Sequence, residues 1–282
     1  MQISFESRYN LVVKRQPNAL PTERLSIISA LIILNYALMP FIYSPQIPVN
    51  FSIAGFIIDI HIEYANLMVL SAALFAAIGT YWLLYDHPKI QRNKIILHLI
   101  LPTVIAGVLS IPLNVIEIGS AWWILFGVGS LLIIFTLIAE YYSVDPEVSL
   151  FALARIFLIP LSVSILLLIS ITIRSAGFRL YIQILVLGMV FATIYTRLIA
   201  LMKAQSNRTI MMFISTLIFM HFIIACHYLP FSSISFGLVL TGFSTFLMIY
   251  PFTIDSDKPL QISVRDTALY TLPFFISAFF FL

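Results

Sequence analysis

The chain has 282 residues, of which 61% are hydrophobic and 10% charged, with a net charge of +3 and a mean hydropathy of +1.05. A soluble domain carries about 25% charged residues, and 15 basic plus 12 acidic side chains are too few to make 31.9 kDa of folded protein face water. This excludes a soluble enzyme, a nucleic-acid binder, a disordered chain and a disulfide scaffold. Cys226 is the only cysteine, so neither an internal disulfide nor a cysteine-based metal cluster is available.

A helix needs about 20 apolar residues to cross the hydrocarbon, at about 1.5 Å rise per residue. The uncharged runs of that kind are 25–43, 64–85, 95–116, 121–139, 156–173, 180–196, 209–229, 230–254 and 267–282. They predict an all-α polytopic transmembrane helical bundle of nine spans, or eight if the short last run does not cross. Long continuous apolar runs are not the alternating pattern of membrane strands, so a barrel is excluded. The whole chain, 1–282, reads as a single integral membrane domain.

Residues 1–23 read as a cytoplasmic N-terminal segment. They are not a cleavable signal, because the first apolar run is long enough to span and no small-x-small site follows it. Pro17 and Pro21 break any long helix there. With the N-terminus inside, the cytoplasmic segments hold eleven basic residues: Arg8, Lys14, Arg15, Arg24, Lys89, Arg92, Lys94, Lys203, Arg208, Lys258 and Arg265. The other side holds two, Arg174 and Arg179. That asymmetry places the N-terminus in the cytoplasm.

The extracytoplasmic loop 44–63 has strand-like patterning. Ile58, Ile60 and Ile62 alternate with Asp59, His61 and Glu63. Val49, Phe51 and Ile53 alternate with Asn50 and Ser52, and Ala54-Gly55 lies between the two runs. A small β-hairpin over 48–63 on the outer face and a re-entrant helix leading into the second span both remain open. That second span carries Ala72, Ala73, Ala76, Ala77 and Gly79. Small residues permit close backbone approach, so it is expected to be central in the bundle. Gly188 and Ala192 give the sixth span a weaker form of the same signal.

The turn between spans four and five reads Ser143-Val144-Asp145-Pro146-Glu147. An aspartate N-cap, a proline in the first turn and a following acid predict a helix start at Asp145. Arg155 then lies about 15 Å along that helix and is expected to snorkel back toward Glu140 at the end of the fourth span. Arg197, six residues before Lys203 and about 9 Å deep by the same rise, is placed to join them. His98 follows Lys94 by four residues and shares its face. Asp86 and His87 end the second span nearby. Ionisable groups inside a membrane are costly and are functional candidates by default. Glu140, Arg155 and Arg197 are therefore candidates for a lipid or anionic ligand, set against a plain ion pair that fixes helix register.

His221 and His227 lie six residues apart on the seventh span, which turns their rings about 120° apart and excludes an i, i+4 metal pair. With His98 they are the candidates for a haem or chlorophyll type cofactor. His-Glu-x-x-His, Gly-x-Ser-x-Gly and P-loop patterns are all missing. No catalytic residue and no metal site is expected.

The stretch Gly79-Thr80-Tyr81-Trp82-Leu83-Leu84-Tyr85-Asp86-His87-Pro88 with His98-Leu99-Ile100-Leu101-Pro102, and more loosely Ala139-Glu140-Tyr141, resembles an uncharacterised family of multispanning bacterial membrane proteins, mainly from Chloroflexota. The resemblance implies a bacterial inner (plasma) membrane and carries over no activity. The reading that follows is a non-enzymatic accessory or structural subunit of a larger membrane assembly, with membrane lipids and other membrane subunits as partners and no nucleic acid. The alternatives are a binder or transporter of a lipid-linked or hydrophobic anion, and a haem or pigment protein.

Overall fold

A computed structural model describes residues 20–42, 46–53, 56–202, 208–254 and 260–281. Among these residues, eight helices are long and apolar enough to cross a membrane. They are α1 (Thr22–Leu38), α2 (Tyr64–Leu84), α3 (Ile95–Val115), α4 (Ser120–Tyr142), α5 (Phe151–Ser175), α6 (Leu180–Met202), α7 (Arg208–His227) and α8 (Ser233–Ile254). A further helix, α9 (Leu260–Phe279), carries Arg265 and Asp266 in its first half and begins seven residues before the apolar run that marks it in the sequence. α9 lies along α8: Ser235 Oγ donates to the Ala278 carbonyl at 2.9 Å and Ser232 Oγ to that of Phe281 at 2.6 Å.

The helices close their own backbone hydrogen bonds, which is what hydrocarbon demands of a spanning segment. Hydroxyls inside them bond back to the preceding turn, as Thr80 does to Ala76, Ser162 to Leu158 and Ser170 to Leu166; no partner helix is then needed to satisfy them. Large apolar side chains such as Leu70, Ile78, Ile124, Leu131, Phe135 and Met189 remain exposed around the bundle, and lipid is their solvent.

Side-chain-to-backbone bonds tie neighbouring helices. Tyr36 on α1 donates to the Ala106 carbonyl of α3 at 3.1 Å, and Asn35 to Met68 of α2 at 3.0 Å. Trp122, at the start of α4, donates through Nε1 to the Leu113 carbonyl near the end of α3 at 3.0 Å. Close approach occurs at glycines: a Cβ on Gly79 would collide with Ile28 of α1, and one on Gly188 with Met220 of α7.

The expectation that α2 is central is not met. Its span is 33% buried, whereas α8 is 56% and α6 50% buried. Ala72 and Ala76 do lie fully buried, but they draw α2 onto α1 and α3 along one side only. Leu67, Leu70, Leu74 and Ile78 leave the other side in lipid.

Ahead of α2, strand β1 (Gln46–Ile53) pairs antiparallel with β2 (Phe56–Glu63). The register runs from Gln46↔Glu63 to Ile53↔Phe56. Ala54 and Gly55, which separate the two alternating runs, lie outside the described residues. So does the N-terminal segment up to residue 19.

Candidate functional site: a buried carboxylate cluster beside a cavity

The ends of α2, α4 and α6 and the starts of α1, α3 and α5 meet at one end of the bundle. Two ion-pair systems close that end. In the first, Arg24 of α1 pairs with Asp86 just past α2, donates to the Trp82 carbonyl at 3.0 Å, and lies 5.4 Å over the Trp82 ring. In the second, Lys89 in the α2–α3 turn bridges Glu147 and Asp145, the latter at 3.2 Å.

The second system explains why α5 does not start where the sequence suggests. Asp145 spends its carboxylate on the Glu147 amide at 3.0 Å and on Lys89, both within the turn. Two successive turns follow, closed by Val148 N to Asp145 O at 3.3 Å and Phe151 N to Val148 O at 3.0 Å. The helix proper begins at Phe151, after Leu150, with no capping side chain and no acid in its first turn. Arg155 therefore lies only about 6 Å into α5 rather than 15 Å.

Charge in this turn is strongly organised. The Glu147 amide bonded to Asp145, with Lys89 beside it, holds that carboxyl below its usual range. Hydrogen bonds to Glu147 and then Asp145 hold Lys89 above the ordinary lysine range. His87 is buried, and burial pushes it below the usual imidazole range. Its Nδ1 accepts the Lys89 amide at 3.3 Å and its ring lies edge-on to Tyr141 at 4.8 Å.

One layer deeper lies the principal cluster. Glu140 of α4 is fully buried and Arg197 of α6 is 2% exposed. Arg197 grips the carboxylate side-on: Nε donates to Oε1 at 3.2 Å and Nη2 to Oε2. Nη2 also donates to Ser143 Oγ at 3.0 Å, and Ser143 Oγ donates to the Glu140 carbonyl at 2.9 Å. His98 of α3 places Nδ1 2.9 Å from Glu140 Oε2 and 3.1 Å from Arg197 Nη2. Three helices thus converge on one carboxylate, and bidentate pairing of this kind is the strong form of an arginine–carboxylate contact.

Of the residues singled out in the sequence, the structure brings together Glu140, Arg197 and His98. It does not bring Arg155 to them. Among the described residues Arg155 has no carboxylate partner; its guanidinium lies 5.6 Å over the Phe151 ring and its Nε is buried without a hydrogen bond. His227 lies at the opposite end, bonded to Gln183 Oε1 at 3.0 Å and facing Arg174. His221 is exposed on α7, its Nδ1 2.7 Å from the Leu217 carbonyl. Ser143 was not singled out, although it lies three residues after Glu140 and so shares its face.

Beside the cluster is a cavity of about 490 Å³, lined among others by Lys94, His98, Ser143, Phe151 and Arg197. Among the described residues the hydrogen bonds of Arg197 to Glu140 and Ser143 use Nε and Nη2 and none uses Nη1, and Arg197 is part of the cavity lining. Lys94 makes no ion pair among the described residues. Both helix starts at this cavity, α3 after Lys94 and α5 after Leu150, lack a capping side chain and an acid in the first turn. The positive end of each helix therefore meets no carboxylate of its own first turn.

A family model for proteins of unknown function, DUF5656, matches residues 44–249. The chain belongs to DUF5656. No curated protein and no solved structure matches it. The DUF5656 match runs from just before β1 into α8, so Glu140, His98, Arg197 and the cavity residues all lie inside it, while α1 and α9 lie outside. A multispanning helical protein of an uncharacterised family is what the sequence resemblance implies. Among the described residues no group of three or more His, Cys, Asp or Glu side chains is placed to hold a metal ion.

Proposed function

We propose that this DUF5656 protein binds a phosphate-bearing anion, carried on a lipid headgroup or lipid-linked molecule, in the cavity beside Glu140 and Arg197. The observation that carries this reading is the cavity itself. Arg197 is locked in place by Glu140 and keeps Nη1 without a hydrogen bond among the described residues, Lys94 adds a cation at the wall, and two uncapped helix starts converge there. Helix N-termini and arginine together are a recurrent means of holding phosphate. Glu140 acts as the rigid support that fixes the guanidinium, not as a ligand. The reading is non-enzymatic: Ser143 Oγ and His98 Nδ1 lie 3.4 Å apart at the cavity, but the hydroxyl is bonded to the Glu140 carbonyl and the imidazole to the Glu140 carboxylate. The distribution of basic residues supports a plasma-membrane protein with this end in the cytoplasm, so that the cavity meets headgroups of the inner leaflet.

Native mass spectrometry of the protein released from nanodiscs tests the reading. Phosphatidate or phosphatidylglycerol should be retained in preference to phosphatidylcholine, and Lys94→Ala should reduce retention. Equal retention of all three, unaltered in that variant, removes it. Competition by glycerol phosphate in solution tells whether the anion alone suffices or the acyl chains are needed.

A second reading, a subunit of a larger membrane assembly, is favoured by His221. Its Nδ1–H donates to Leu217, so its other ring nitrogen is left open on a face where Phe213, Ile214, Leu217 and Ile218 are exposed. A polar atom turned to lipid is costly, and a neighbouring helix or a haem or chlorophyll type group would relieve it. A colourless, monomeric preparation with no co-purifying polypeptide sets this second reading aside.

A further inference from the structure

Arg155 is the one feature at this end of the bundle that the phosphate-binding reading leaves without a task. Its Nε is buried with no hydrogen-bond partner among the described residues, and buried polar atoms in native proteins are satisfied with few exceptions. Its charge also sits in the first turns of α5, against the positive end of the helix, where a cation is unfavourable. α5 has no acid in that turn to offset it. Among the described residues the partner of the guanidinium is the face of Phe151 at 5.6 Å. Phe151 is itself a wall of the cavity. A cation against the helix dipole and without a carboxylate persists at low cost when an anion is its partner.

We propose that Arg155 is the specificity residue for a second phosphate, so that the cavity takes a diphosphate headgroup in preference to a monophosphate. The inference rests on the phosphate-binding reading above. Arg197 Nη1 and Lys94 hold one phosphate beside the Glu140 cluster. The second, one bridging oxygen away, lies toward the start of α5, where Arg155, outside the cavity lining, reaches it by swinging past the Phe151 ring. Lys94 and Arg155, which pair with no carboxylate among the described residues, together with Arg197 match the larger negative charge of a diphosphate. Nothing needs to be cleaved or transferred; the site binds.

The test uses the full-length protein in phosphatidylcholine nanodiscs, titrated with farnesyl phosphate and farnesyl diphosphate and read by isothermal calorimetry. Wild type should bind the diphosphate at least about tenfold more tightly, the loss of a charge-assisted contact being of that order. Arg155→Gln should erase the difference by weakening only the diphosphate, and Arg155→Lys should restore part of it. Arg155 holds no ion pair with any described residue, so neither variant removes one, and an unchanged melting temperature checks that the packing around its stem is kept. Equal wild-type affinity for the two ligands, or equal weakening of both in Arg155→Gln, overturns the inference while leaving phosphate binding intact. If neither ligand binds wild type, the underlying reading fails as well.

Discussion

Glu140 has no exposure to solvent, and a carboxylate there is tolerated only while Arg197 and His98 surround it. Removing one partner of a buried ion pair costs about 3–5 kcal/mol, whereas exchanging the whole pair for apolar groups is often neutral. Arg197→Met and Glu140→Leu should therefore each lower stability by about 3–5 kcal/mol. The double variant Glu140→Leu, Arg197→Met should be markedly more stable than the sum of the two single effects, giving a large coupling in the double-mutant cycle. Thermal unfolding in a mild detergent measures it; additive losses would mean that the two side chains do not share one interaction. Arg155, with no carboxylate partner among the described residues, is the control at this scale.

The helices show which sequence signals determine structure and which mislead. Length and hydropathy alone locate the spans, because the hydrocarbon admits little besides a self-bonded helix. The cluster was also partly legible, since Glu140, Arg197 and His98 each fall within a few residues of a helix end on the same side. The start of α5 was not. Asp145-Pro146-Glu147 has the composition of a cap, but Lys89, distant in sequence, and the Glu147 amide take the carboxylate into a turn. A shift of six residues in the helix start is what separates Arg155 from Glu140. The small-residue stripe of α2 likewise gives close approach without position, since alanines fit against neighbours at the edge of a bundle as well as at its centre. The glycine contacts give an element-scale prediction. Gly188→Leu places a side chain where Met220 of α7 already lies. Overpacking of that kind costs about 1–3 kcal/mol, so the variant should melt earlier in a detergent thermal-shift assay; an unchanged melting point would mean α6 and α7 are not in close contact.

At the scale of the whole molecule, the bundle keeps its ionic chemistry at one end and its polar bonds elsewhere within single helices or between neighbours. The opposite end holds Arg174, Gln183 and His227 in a smaller hydrogen-bonded group. Among the described residues the first end combines a cavity, an immobilised arginine and uncapped helix starts, and it is the end that the proposed function turns to the cytoplasm. Photo-crosslinking tests that claim most directly: phosphatidate bearing a diazirine headgroup is incorporated into one leaflet of membrane vesicles of known sidedness. Labelling of the segments that carry Lys94 to Leu97 and Ala200 to Leu201 from the cytoplasmic leaflet, suppressed by Lys94→Ala, is the predicted result. Labelling of the same segments from the opposite leaflet, or label spread evenly over exposed faces such as that of α7, would contradict the account.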